Sequence, residues 1–236
     1  MKAVILAGGK GARLAPYTKI LPKPLMPVGD MPILEVLLRQ LQHAGIKDIV
    51  ITVGNLAALI KTYFFDGREF GLKITYSYED MPLGTAGPLA LVPGLNENFF
   101  VMNGDVLTTL DFKTLLKFHK SQKAIATIAA HHKKVKIDLG VLQHAPKSFE
   151  LTGYIEKPSY EYIVSMGIYV FRPDVLRYIP KNRYLDFPDL VLKMIAAGEK
   201  VVHYPYDGYW KDLGRADDYD QATQDFAKMR AEFLRE

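Results

Sequence analysis

Apolar residues fill positions 3–7 without a break and stop at Gly8-Gly9, the pattern of a buried strand emptying into a loop. Between 33 and 44 apolar residues fall at 33, 34, 37, 38, 41 and 44, among others, a helical stripe with Gly45 as its stop. The β-branched segment 47–53 predicts a strand. Asn55 is expected to cap a helix running to Tyr63, and the alternation over 72–78 predicts another strand. Residues 99–102 (FFVM) form a strand signal that runs straight into Asn103-Gly104-Asp105, and Asp111 is expected to cap an amphipathic helix to His119. Strand-like stretches follow at 124–130, 139–143, 150–156 and 163–171. Asp186 then opens a helix to Ala197, stopped by Gly198, 200–204 is a short strand, and a charged helix from about Asp217 closes the sequence.

Strand and helix alternate through the first half, which argues for a parallel sheet covered by helices; the strand-rich middle predicts a mixed-sheet region over the sheet's carboxyl edge. The expected fold is therefore α/β, a Rossmann-like mixed, mainly parallel sheet flanked by helices, in one domain over 1–236. No repeat with a period of about 20–50 residues is present to suggest a solenoid.

Composition narrows the function. At 236 residues, 49% hydrophobic and 24% charged, the chain has the make-up of a globular protein with a large core. The absence of cysteine excludes disulfides, thiolate metal sites and a cysteine nucleophile, and fits a reducing compartment. The net charge of +4 comes from 30 basic and 26 acidic residues, mostly interspersed, without aromatic–basic interleaving, so no nucleic-acid partner is expected. The apolar run at the N-terminus is too short for a signal peptide, and no run approaches the roughly 18 apolar residues of a membrane span. A cytoplasmic location without a membrane partner is the expectation.

The chemistry is concentrated in residues 6–34. After the first strand come Leu6, Ala7, Gly8, Gly9 and Gly11, then Arg13, then Lys23 between Pro22 and Pro24. Glycines let successive backbone N–H groups approach a phosphate chain and form an anion nest. Arg13 offers a planar fork to phosphate oxygens and Lys23 a point charge, held in direction by the prolines on either side. The segment is neither a P-loop, lacking G-x-x-x-x-G-K-[ST], nor the dinucleotide fingerprint, lacking its third glycine. His131-His132 with Lys133-Lys134 has the look of a metal or anion site, but neighbours on a strand face opposite ways, and a solvated loop is the expectation. Trp210 is expected to pack as core.

The stretch GGKGARLAPYTKILPKPLMPVGDMP resembles the opening pattern of the sugar-1-phosphate nucleotidyltransferases. The likeness continues in order through PLGTAGP (82–88), NGDV (103–106), EKP (156–158) and WKDLG (210–214), and PLGTAGP is most similar to the mannose-1-phosphate guanylyltransferases. The resemblance implies the glycosyltransferase-A-like nucleotidyltransferase fold, with a nucleotide part about 1–110, a sugar-phosphate part about 111–215 and a C-terminal helix about 216–236. It implies Mg²⁺ on Asp105 and Asp212, a pair of carboxylates suited to an ion that fills its shell with phosphate oxygens. Arg13 and Lys23 would serve the phosphates, and Glu79, Gly84 and Thr85 the nucleoside. Gly140, Glu156, Lys157 and Ser165 would hold the sugar phosphate.

Implied partners are a nucleoside triphosphate and a sugar 1-phosphate, with a homo-oligomer left open. A carboxylate at Glu79 matches the N1–H and N2–H₂ donors of guanine, although the N3–H of uracil also suits it. GTP with mannose 1-phosphate is therefore the expected pair, against UTP, dTTP or CTP with another sugar 1-phosphate. Ser165-Met166-Gly167 departs from the Asn-x-Gly of many members, which leaves the sugar open. A glycosyltransferase is disfavoured because Asp105 is followed by Val106-Leu107 rather than by an Asp-x-Asp motif. A non-catalytic regulatory protein that binds nucleotide sugar is the alternative of another class. With a single helix after WKDLG, nucleotidyl transfer is the one activity expected.

Overall fold

The apolar run that opens the chain becomes strand β1 (Lys2–Ala7), and its alternate side chains feed two different cores. The computed structural model describes residues 1–9 and 11–235. After β1 come the two-residue strands β2 (Pro27–Val28) and β3 (Met31–Pro32), helix α1 (Ile33–His43), β4 (Asp48–Val53), α2 (Ala57–Phe64), β5 (Lys73–Tyr78), β6 (Phe99–Asn103) and β7 (Val106–Thr108). The second half supplies α3 (Phe112–Gln122), β8 (Ala126–Lys136), β9 (Val141–His144), β10 (Leu151–Ile155), β11 (Ser159–Phe171), α4 (Phe187–Ala196), β12 (Val201–Pro205), β13 (Trp210–Asp212) and α5 (Ala216–Leu234).

Seven strands form the central sheet in the order β12-β8-β11-β6-β1-β4-β5. β11 runs antiparallel to both its neighbours and every other pairing is parallel, so the sheet is mixed and mainly parallel, as the pattern predicted. Alternation assigns each face to its own cluster. Ile5, Ile49, Ile51, Phe100, Met102 and Ile168 pack under α1 and α3. Val4, Val50, Phe99, Val101 and Phe171 pack with Phe187 and Leu190 of α4. A third cluster gathers Leu14 of the glycine-rich segment, Ile33 and Val36 of α1, Leu107, Leu213, and Phe226 and Phe233 of α5. The buried Gln40 amide joins these parts, donating to the carbonyls of Thr108 (2.7 Å) and Phe233 (2.8 Å).

Two local readings need correction. Asn55 does not cap α2: the cap position is Leu56, in the left-handed region (φ 56°), with no side-chain cap bond, and Asn55 faces a cavity instead. His131–Lys134 is not a loop but part of β8, because β8 and β11 continue past the sheet as a two-stranded ribbon, with Ser159 still paired to Lys136. Asp111 does cap α3, accepting from the Lys113 N–H at 2.8 Å. Among the described residues, no helix is long and apolar enough to cross a membrane.

His119, on the buried face of α3, hydrogen-bonds through Nδ1 to Thr127 Oγ1 at 2.8 Å. Burial, helped by the positive charges of Arg172 and Lys120, lowers its pKa to about 4 from 6.5. Between those values the unfolded chain takes up a proton that the folded chain refuses, so stability falls as the pH drops through that window. The loss is about 1.4 kcal/mol per pH unit. The urea midpoint should therefore drop between pH 7 and 4.5, and drop less steeply in His119→Gln, which keeps a partner for Thr127 without titrating. Equal slopes in the two proteins would remove His119 as the cause.

Candidate active site

At the carboxyl end of β1 the chain enters the glycine-rich segment, between the ends of β4 and β6, where open α/β sheets bind ligands. Gly11 adopts φ +61°, and a Cβ there would stand 2.9 Å from Thr18 Cγ2, so the turn requires glycine. The turn is closed by the Thr18 hydroxyl and the Leu14 N–H, which both donate to the Gly11 carbonyl at 2.8 and 2.9 Å. Leu14 is buried in the third cluster, which fixes its neighbour Arg13. The Arg13 guanidinium lies over Gly214, where a Cβ would be 3.2 Å from both terminal nitrogens.

Lys23 is buried in a short turn (Lys23–Leu25). Its ammonium is ion-paired to Asp105 and lies 3.6 Å from Asp212 Oδ1. Asp105 follows β6 in a tight turn whose Gly104 N–H donates to the Leu6 carbonyl at 3.0 Å. The antiparallel pairing of β13 with β7 sets Asp212 opposite Val106, one residue from Asp105. Two carboxylates distant in sequence therefore converge on one cation. Among the described residues, no group of three or more His, Asp or Glu side chains assembles as a metal site. A pair of carboxylates is nonetheless what Mg²⁺ takes when phosphate oxygens complete its shell, so the donor set fits that ion.

A cleft of about 750 Å³ runs from this point along the sheet's edge. Its lining joins Leu6, Ala7, Gly8, Gly9, Gly11, Arg13, Lys23 and Asp105 to Glu79, Gly84 and Thr85. Glu79 Oε2 accepts from the Leu83 N–H at 3.0 Å, and Oε1 lies 3.1 Å from where a Cβ of Gly8 would be. Burial pushes the Glu79 carboxyl up, against the pull of the Leu83 N–H. Asp212 lines a second, smaller cavity of about 480 Å³, which shares Arg13 with the first.

The expected sugar-phosphate residues are placed elsewhere. Gly140, Glu156, Lys157 and Ser165 line neither cavity, because the β8–β11 ribbon and the β9–β10 hairpin carry them outward. Lys157 lies 3.9 Å from Glu156, both exposed. Ser165 donates to the Tyr169 hydroxyl (3.2 Å) and accepts from the Gly167 N–H (3.3 Å). Trp210 is only partly buried: its indole N–H donates to the Met166 carbonyl at 3.0 Å and its ring lines the second cavity.

Sequence reasoning missed Tyr184 and Asp186 in the lining of this cleft. Asp186 opens α4, as its position suggested, yet its side chain makes no bond to its own helix. Instead Oδ1 accepts from Thr85, through N–H at 2.9 Å and Oγ1–H at 3.1 Å, while Thr85 Oγ1 accepts from the Phe187 N–H at 2.9 Å. Thr85 thus caps α4 and Asp186 grips the loop that carries Thr85. Tyr184 completes the clasp, donating to Asp186 Oδ2 at 2.6 Å, and this hydrogen bond leads the causes that hold the Asp186 carboxyl below the usual range. Gly84 (φ +78°) has no room for a side chain, since a Cβ would stand 2.6 Å from the Leu185 carbonyl oxygen. Only the pairing of a helix start with a remote loop marks this site, and no spacing in the sequence displays it. Asp186→Ala should loosen the loop and weaken nucleotide binding about tenfold, the scale of a lost charge-assisted bond. Calorimetric titration with a nucleoside triphosphate checks this, and an unchanged affinity would restrict the clasp to a folding role.

The Nucleotidyl transferase family profile matches residues 2–229. The UTP–glucose-1-phosphate uridylyltransferase of Synechocystis sp. is 38% identical over 246 residues, covering 95% of this chain and 63% of that protein. The mannose-1-phosphate guanyltransferase of Yarrowia lipolytica is 36% identical over 231 residues, covering 94% and 63%. The present chain thus spans about 63% of the length of these curated relatives. Among solved structures, HddC from Yersinia pseudotuberculosis superposes with a TM-score of 0.73 at 24% identity, over 95% of this chain and 99% of that one, a likeness of fold. With its glycine-rich turn, converging aspartates and mainly parallel sheet, the chain belongs to the nucleotidyl transferase family.

Proposed function

We propose that this protein transfers a nucleotidyl group from a nucleoside triphosphate to a sugar 1-phosphate, releasing pyrophosphate. The observation that carries the reading is the convergence of Asp105, from the cleft, and Asp212, from the cavity beside it, on the ammonium of Lys23. A phosphate oxygen of the sugar attacks the α-phosphorus. The new P–O bond forms as the bond to the bridging oxygen breaks, and pyrophosphate departs with that electron pair. The attacking oxygen is already ionised at neutral pH, so no side chain has to take a proton.

The protein's task is to bring two polyanions together. The backbone N–H groups of Gly8, Gly9 and Gly11 receive the triphosphate, and Arg13 spreads positive charge over its outer oxygens. Lys23 lies where charge builds on the α-phosphate. Asp105 and Asp212 would hold Mg²⁺, which neutralises phosphate charge when bound.

GTP is the proposed donor and mannose 1-phosphate the proposed acceptor. Glu79 supports the first choice, with Oε1 left to meet the donor edge of guanine while Oε2 is engaged by Leu83. The guanyltransferase relative from Yarrowia lipolytica supports both choices. The uridylyltransferase relative from Synechocystis sp. favours UTP as the second reading.

Pyrophosphate release, measured for GTP, UTP, dTTP, CTP and ATP against several sugar 1-phosphates with Mg²⁺, tests the proposal. A strong GTP–mannose 1-phosphate pair is expected, and Asp212→Asn should lower kcat roughly 10²–10³-fold without shifting Tm. Silence across the grid from folded protein that still binds nucleotide would favour the regulatory reading instead. Since burial raises the Glu79 carboxyl, protonation should raise the KM for GTP on acidification sooner than an ordinary glutamate would allow. A Glu79→Gln variant should lose that pH dependence; its persistence would sink Glu79 as the base reader.

A further inference from the structure

The second cavity meets the nucleotide cleft at Arg13 but has a different lining. Around it stand Arg13, Lys133, Lys134, Lys211 and Arg215, answered by the carboxylates of Asp212 and Asp218. Lys134 lies 3.8 Å from Glu161, and Lys211 is close enough to Asp225 to help lower that carboxyl. Among the described residues, the side chains of Arg13, Lys133 and Arg215 have no hydrogen-bond or ion-pair partner.

A second feature points the same way. Helix α5, 19 residues long, begins at the rim, with Arg215 at its cap position and no side-chain cap bond on its first-turn N–H groups. Such an end attracts anions, and Asp217 and Asp218 in the first turn offset only part of that pull. One wall is aromatic: the rings of Trp210 and His131 lie with centroids 5.5 Å apart, their planes tilted by 47°.

We propose that this cavity receives the acceptor sugar and selects one that carries a second anionic group beside its 1-phosphate. The group would be the carboxylate of a hexuronic acid 1-phosphate or the second phosphate of a hexose bisphosphate. The inference rests on the nucleotidyl-transfer reading and departs from its mannose 1-phosphate acceptor, ranking an acidic sugar 1-phosphate above a neutral one. A single phosphate at the transfer centre is already served by Lys23 and Arg13. A neutral sugar ring gives no work to Lys133, Arg215 or the start of α5, whose mutual repulsion within about 480 Å³ an added anion relieves. The aromatic wall favours a sugar ring over pyrophosphate, which has no apolar face to lay on it.

Trp210 is the sole tryptophan of the chain, so its fluorescence reports this cavity directly. Full-length protein is titrated with glucose 1-phosphate, glucuronic acid 1-phosphate, glucose 1,6-bisphosphate and pyrophosphate, and kcat/KM is measured for the three sugars. The uronic acid or the bisphosphate should bind and react about tenfold better than glucose 1-phosphate, the scale of one charge-assisted contact. The ratio should collapse in the Lys133→Gln/Arg215→Gln double variant, both residues being exposed. Equal affinity for glucose 1-phosphate, a preference that survives the double variant, or pyrophosphate binding more tightly than every sugar would each overturn the proposal. Charge-selective binding at Trp210 without pyrophosphate release from any nucleotide would uphold the cavity's preference and overturn the transfer reading alone.

Discussion

The site depends on one short antiparallel pairing, β7 with β13. It sets Asp212 beside Asp105, and both face the buried ammonium of Lys23. A cation out of water with a single carboxylate is costly to hold unless its surroundings are fixed, and breaking a buried pair typically costs about 3–5 kcal/mol. Here the fixing is apolar. Leu107 and Leu213 are buried in the third cluster with Leu14, so Asp212 and Arg13 are carried on segments anchored by the same packed side chains. The Leu213 N–H also donates to the Asp105 carbonyl at 3.3 Å, tying the two aspartates through the backbone.

That arrangement explains the position of α5. Phe226 and Phe233 close the third cluster, and Gln40 reaches from α1 to the carbonyls of Thr108 and Phe233. The helix acts as a brace for the charged centre, and its amino end opens on the second cavity. One element thus connects core packing with the electrostatics of the region where an acceptor would approach.

The Thr85 wall of the cleft is held by polar contacts. Thr85 and Asp186 exchange roles, the threonine capping α4 and the aspartate gripping the loop, so this wall of the cleft is tied to the helix that packs on the second core. Glu79 is held between Leu83 and the Gly8 backbone, which sets its carboxylate within a few ångströms of the glycine-rich turn. Both parts of the site are thus built on rigid elements, as a site that works by positioning requires.

Local chemistry was legible in the sequence because it depends on neighbours along the chain. The glycines and prolines around Arg13 and Lys23, the Asp111 cap and the apolar, β-branched runs of β1, β4 and β6 each specify their own backbone, and the run of motifs specified the family. What needed the tertiary structure were contacts between distant segments. Asp212 meets Asp105 only through strand register, and Asp186 meets Thr85 only because α4 packs beside the loop. His131–Lys134 reads as polar loop because its residues are charged, yet backbone pairing with β11 makes it strand. Side-chain polarity predicts burial, and it is silent on hydrogen bonds between main chains that meet only after folding.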